Sequence, residues 1–287
     1  MEQAAYLPFD SDVMAPIKPL PAGACDCHFH VFELLANYPL ARPRSYTPTP
    51  APFAAYKAMA NTLGLSRAVL VHPSVYGSDH RSFEDTLRLN REWMRGVAVV
   101  YPETPAADIE RWHDLGARAT RCNALFSGGA AMQDLPNIIG KVKDFGWHLQ
   151  VLMDVNKDPK VVVKMAALGV PLVIDHYGHV DAGQALHSKG YANLLALVRE
   201  GKAWVKLSGA YRISAQRKGF SDVRPLTEAL LKANPAQLVW GSDWPHPSIA
   251  APMANDGALI NALLDCCNSA QLQQVLVDNP TRLYWSN

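Results

Sequence analysis

Eight short runs rich in Val, Ile and Leu recur along the 287-residue chain, each followed by a longer amphipathic stretch, and this alternation constrains the fold more than any other feature. The runs are Ala24–His28, Ala68–His72, Gly96–Tyr101, Ala117–Arg121, Leu149–Met153, Leu172–His176, Trp204–Ser208 and Leu238–Ser242. Nearly continuous apolar strands are expected where both faces are covered, as in a parallel sheet clad in helices. The intervening FAAYKAMANTLG, SFEDTLRLNREWM, DIERWHDLG, PNIIGKVKDFG and PKVVVKMAALG read as helices, several ending on a glycine C-terminal cap. Eight strand–helix units in about 250 residues predict an α/β protein of the (β/α)8 TIM-barrel class. The barrel domain is expected over 23–287, behind an N-terminal arm over 1–22. A doubly wound open sheet is the rival, but no G-x-G-x-x-G turn follows the first run.

Composition narrows the function. With 27 basic against 26 acidic residues and no Lys/Arg run, a nucleic-acid surface or an anionic membrane surface is disfavoured, and a small-molecule partner is expected. No signal-peptide pattern opens the chain and no stretch approaches 18 apolar residues, so the expected location is cytoplasmic. The five cysteines show no disulfide framework, which fits reduced thiols. Whether the chain forms a homo-oligomer is left open.

In such a barrel, chemistry gathers at the C-terminal ends of the strands. The first run ends at His28 and His30, the second at His72 and Ser74, the fourth at Arg121 and Asn123, the sixth at His176, the seventh at Ser208 and the eighth at Asp243. Simple alternation through ACDCHFH puts Asp26, His28 and His30 on one face and Cys25, Cys27 and Phe29 on the other. The expectation is that the histidines enter the barrel mouth, the cysteines pack under the helices, and Asp26 pairs with Lys206. The Pro-rich segment Pro39–Pro52 follows the first strand and should lie at the mouth.

DCHFHVF at the first strand, IDHYG at the sixth, VWGSDWPHP at the eighth and NPTRLYW near the end together resemble the amidohydrolase superfamily, and within it a metal-independent branch of lactonases. The resemblance runs from about Gly23 onward. It implies a hydrolase that opens the ester bond of a small carboxylated lactone: a 2-pyrone-4,6-dicarboxylate-like, muconolactone-like or sugar-acid ring. Asp243 would be the general base for water, and His28, His30 and His176 would polarise the carbonyl. Arg121 and Arg212 would hold carboxylate, with Tyr46, Ser74, His72, Asn123 and His179 as further substrate contacts. Where the branch has another arginine after the fourth strand, this chain reads ALFSGG, with Ser127 near that position.

Metal-dependent members of the superfamily add ligands from the fourth and fifth strands. Here those strands offer Arg121 and Leu152 or Met153, while His148 sits at the opposite end of the fifth. No cofactor is therefore expected to be required. A mononuclear Zn²⁺, if bound, would draw on His28, His30, His176 and Asp243. The alternatives are a lactone isomerase, a zinc-dependent decarboxylase of the same superfamily, and a non-catalytic barrel that binds a sugar acid or lactone.

Overall fold

The computed structural model describes residues 6–126, 129–216, 218–249 and 252–286. Its strands are β1 (Cys25–Phe29), β2 (Arg67–Val71), β3 (Met94–Ala98), β4 (Ala117–Asn123), β5 (His148–Leu152), β6 (Leu172–Ile174), β7 (Trp204–Leu207) and β8 (Leu238–Trp240). They form one parallel sheet in sequential order. The sheet curls until the chain just past β8 meets β1, where Phe29 bridges Trp244. The expected (β/α)8 barrel is therefore the observed fold. Helices at Phe53–Leu63, Arg81–Asn90, Ala106–Asp114 and Leu135–Val142 match four of the helical segments expected from sequence. The fifth, PKVVVKMAALG, shortens to Val161–Met165.

Strand β1 departs from simple alternation. Asp26 pairs with Ala68 and Phe29 with Leu70, so three steps on β1 answer two on β2, the signature of a bulge. The extra residue turns both Cys27 and His28 inward. Cys25 and Cys27 join Val69, Val71, Val97, Val173 and Tyr284 in the barrel interior, which corrects the expectation that the thiols lie beneath the helices. Asp26 points outward, and Phe29 stacks on Tyr56 of the first helix with centroids 3.5 Å apart. The Asp26 carboxylate accepts from the His28 amide (2.9 Å), the Ser242 amide (2.9 Å), the Ser242 hydroxyl (2.6 Å) and the Tyr56 hydroxyl (3.1 Å). It therefore fixes the bulge and ties the end of β8 to β1. The approach is so close that a Cβ on Gly241 would lie 2.6 Å from that of His28, which only glycine avoids.

At the opposite end of the barrel, Tyr284 is fully buried and Trp285 lies between the guanidinium groups of Arg67 and Arg95. The described part of the N-terminal arm straps the mouth side: the Leu7 amide donates to the Ile249 carbonyl at 2.9 Å and Phe9 packs on Trp244. Among the described residues, no helix is long and apolar enough to cross a membrane.

Removing a buried acceptor strands its donors, at about 1–3 kcal/mol for each unsatisfied group. Asp26→Ala is expected to lower the unfolding free energy by at least about 3 kcal/mol in urea denaturation. A loss below about 0.5 kcal/mol would contradict the clamp.

Candidate active site

At the mouth, His28 and His30 from β1 meet His176, next but one after β6, and Asp243, past the end of β8. The Nε2 atoms of His28 and His30 are 3.3 Å apart, and they lie 3.7 and 3.8 Å from Asp243 Oδ1. His176 Nε2 is 3.6 Å from Asp243 Oδ2, while its Nδ1 meets Ser208 Oγ at 2.8 Å. His30 Nδ1 donates to the Val71 carbonyl at 2.7 Å, which leaves its Nε2 as the acceptor facing the site. Both His176 (φ 51°) and Asp243 (φ 64°) adopt the left-handed region, uncommon for residues with a Cβ and concentrated at functional sites. At β6 this turn lets the neighbours Asp175 and His176 both face the interior.

Beneath the histidines is a floor of buried charge. Asp175 Oδ2 accepts from Arg121 Nε and Gln150 Nε2, each at 3.0 Å, while Oδ1 lies 3.4 Å from His28 Nδ1. Lys206 Nζ donates to Gln150 Oε1 (2.7 Å) and the Cys27 carbonyl (2.8 Å) and lies 3.8 Å from Asp175. Asp175, not Asp26, is thus the ion-pair partner of Lys206, because the β1 bulge sends Asp26 out of the barrel. Asp243 has its own cation: Oδ2 accepts from Arg212 Nε at 2.6 Å and from the Tyr211 hydroxyl at 2.7 Å.

These contacts set the protonation states. Burial pushes His28 well below the ordinary histidine range, His30 to about 4 and His176 to about 3. Burial alone would raise Asp243, but the Arg212 guanidinium together with the surrounding His176, His28 and His30 outweighs it and holds the carboxyl well below its usual range. At Asp175 burial is likewise outweighed, by His28, Arg121 and Lys206. The resting site is therefore neutral imidazoles around an ionised carboxylate.

A pocket opens above this set, lined by His30, His176 and Asp243 with Tyr46, Ser74, Arg121, Asn123, His179 and Arg212. Tyr46 comes from the Pro-rich loop, as its place after β1 implied. Leu152, where a histidine ligand would be expected from metal-dependent relatives, and Phe126 form an apolar wall. His72 does not line this pocket. Its ring turns toward the helical layer, stacks on His80 with centroids 3.8 Å apart and bonds the Gly77 carbonyl, which corrects its expected substrate contact. Asn123 Oδ1 is engaged by the Leu125 and Phe126 amides. Ser127 lies outside the described residues. The sequence reading overlooked Asp175, Gln150 and Tyr211; IDHYG contains the aspartate, but strict alternation placed it opposite His176.

Ligand atoms of His28, His30 and Asp243 lie close enough together to hold a divalent ion, and His28, Asp175 and His176 form a second such group. The expected four-ligand set is thus divided, with His176 in the second group. The separations of 3.3–3.8 Å in the first suit ligands about 2.0–2.2 Å from one ion. The donor set fits a metal by geometry, while Lys206 Nζ only 3.4 Å from His28 Nδ1 opposes added positive charge.

An eight-stranded barrel with a histidine–aspartate centre at the strand ends defines the class as a barrel enzyme of the hydrolase type. The amidohydrolase family model matches residues 25–285, and the chain belongs to that family. It is 33% identical over 285 residues to a 2-pyrone-4,6-dicarboxylate hydrolase of Comamonas testosteroni, covering 94% of this chain and 93% of that one. It is 31% identical over 271 residues to a 4-sulfomuconolactone hydrolase of Hydrogenophaga intermedia, covering 92% and 89%. An apo crystal structure of an Agrobacterium tumefaciens protein shares the fold with a TM-score of 0.86 at 24% identity, covering 95% of this chain and 99% of that one.

With His30 at about 4 and His176 at about 3, these rings bind protons only as the pH falls toward those values. Nitrogen NMR of the imidazoles should show His28, His30 and His176 neutral and unchanging from pH 5.5 to 8. A titration of any of them near the ordinary value of about 6.5 would contradict the electrostatics described.

Proposed function

We propose that the chain hydrolyses the ester bond of a small carboxylated lactone, with Asp243 as the general base. The observation that carries this reading is the division of labour on the Asp243 carboxylate. Oδ2 is held by Arg212 and Tyr211, while Oδ1 faces the Nε2 atoms of His28 and His30. Gaps of 3.7 and 3.8 Å are too long for direct hydrogen bonds, so Oδ1 keeps its lone pairs for a water seated on the pocket side of the group. The relatives named as hydrolases of 2-pyrone-4,6-dicarboxylate and 4-sulfomuconolactone support the substrate class.

In this mechanism Asp243 takes a proton from water as the water oxygen bonds to the lactone carbonyl carbon. The carbonyl oxygen gains negative charge, stabilised by an N–H of His28 or His176, while His30, whose proton is held by the Val71 carbonyl, offers Nε2 as an acceptor to the attacking water. Collapse breaks the ring C–O bond, the departing oxygen takes up the proton held by Asp243, and the new carboxylic acid ionises at neutral pH. Arg121 and Arg212 orient the substrate's carboxylate. Arg212 is also the main force lowering the proton affinity of Asp243. Residues 23–287 act as the catalytic domain in this reading, with the arm as a strap over its mouth.

A divalent ion held by His28, His30 and Asp243 would supply Lewis-acid polarisation of the carbonyl. We propose that turnover does not require one, because Lys206, Arg121 and Arg212 already surround these ligands with positive charge; Arg121 and Arg212 both depress His30.

Incubation with a pyrone, muconolactone and aldonolactone panel should yield ring-opened acids. Isomeric lactones would instead identify an isomerase, and released carbon dioxide a decarboxylase. Asp243→Asn should lower kcat by about 10²–10⁴-fold; retention of wild-type turnover would remove Asp243 as the base. Exhaustive chelation should leave turnover intact, and stoichiometric zinc with chelator-sensitive activity would overturn the metal-free mechanism.

A further inference from the structure

The two arginines at the pocket are not equivalent. A guanidinium grips a carboxylate with a planar pair of N–H groups. Arg212 commits Nε to Asp243 and Nη2 to the Pro247 carbonyl at 3.2 Å, so each of its two paired edges has lost a member. Among the described residues, Arg121 bonds Asp175 through Nε alone, which leaves its terminal Nη1–Nη2 edge whole. Lys206 is fully buried in the floor and does not line the pocket.

The charge balance points the same way. Taking the described pocket lining and its floor together, Arg121, Arg212 and Lys206 bring three positive charges against the two negative charges of Asp175 and Asp243, a surplus of one. One anionic group finds both the terminal edge of Arg121 and the single surplus positive charge. A second finds no further cation among the described lining residues, a costly arrangement for a buried charge.

We infer that the substrate carries a single anionic group besides its scissile ester, seated on the terminal edge of Arg121, with the rest of the ring neutral against Tyr46, Phe126 and Leu152. This selectivity rests on the lactonase reading above and sharpens it to a monoanionic lactone.

Binding can be measured apart from turnover with planar, non-hydrolysable rings. Isothermal titration of the full chain at pH 7.5 should show pyridine-2-carboxylate binding about ten-fold or more tightly than pyridine-2,4-dicarboxylate. Arg121→Lys, which keeps the charge and loses the fork, should weaken the monoacid by about ten-fold or more. Circular dichroism confirms that the variant is folded; an unfolded Arg121→Lys is replaced by Arg121→Gln. Equal or tighter binding of the diacid, no measurable binding of either, or an unaffected folded Arg121 variant overturns the inference. Matched 2-pyrone mono- and dicarboxylates separate it from the parent reading. Hydrolysis that favours the dicarboxylate refutes monoanion selectivity alone, whereas monoacid binding without hydrolysis refutes the lactonase reading and leaves the selectivity standing.

Discussion

Four hydrogen bonds converging on the Asp26 carboxylate organise the rest of the site. Two come from Ser242 at the end of β8 and one from the His28 amide, so a single buried side chain joins the last strand to the first. The backbone then continues the closure: the Asp243 amide donates to the His28 carbonyl and the His30 amide to the Trp244 carbonyl, both at 2.8 Å. The histidine pair and the carboxylate they face thus lie in adjacent segments of one ladder, although more than two hundred residues separate them in sequence. Burial raises Asp26 to about 6 against these hydrogen bonds, a sign of how far the clamp is removed from water.

The charged floor performs a different task. Asp175, fully buried, gathers Arg121, Gln150 and Lys206 and faces His28, so the imidazole lies over a fixed electrostatic base. Such a network is costly if one member is removed, and it holds its neighbours in a single arrangement. Asp243 is fixed by Arg212 and Tyr211 on one oxygen, leaving the other toward His28 and His30. Groups oriented in this way need little rearrangement as charge develops on a carbonyl oxygen.

The barrel was legible because its signal is repeated: each apolar run is ambiguous alone, but eight in register with helical stretches admit few architectures. His28, His30, His176 and Asp243 were legible for the same reason, since strand ends must converge at the mouth. The local direction of side chains was not. Alternation is a rule for regular strands, and β1 contains a bulge held by a contact between Asp26 and Ser242, a tertiary cause absent from the local pattern. That one extra residue reversed the expected faces of Cys25 and Cys27 and released Lys206 to Asp175. His72 illustrates the converse: its strand-end position suggested the pocket, but stacking on His80 takes its ring to the helical side. Asp175 was hidden by its neighbour, because two consecutive inward residues require the left-handed turn at His176.

The central claim is that water held by Asp243 attacks the lactone carbonyl carbon. Turnover of a lactone in ¹⁸O-enriched water, with mass spectrometry of the product fragments, tests it directly. The account predicts one ¹⁸O atom in the newly formed carboxylate and none on the oxygen released from the ring. Label on the released oxygen, or a product without label, would contradict it.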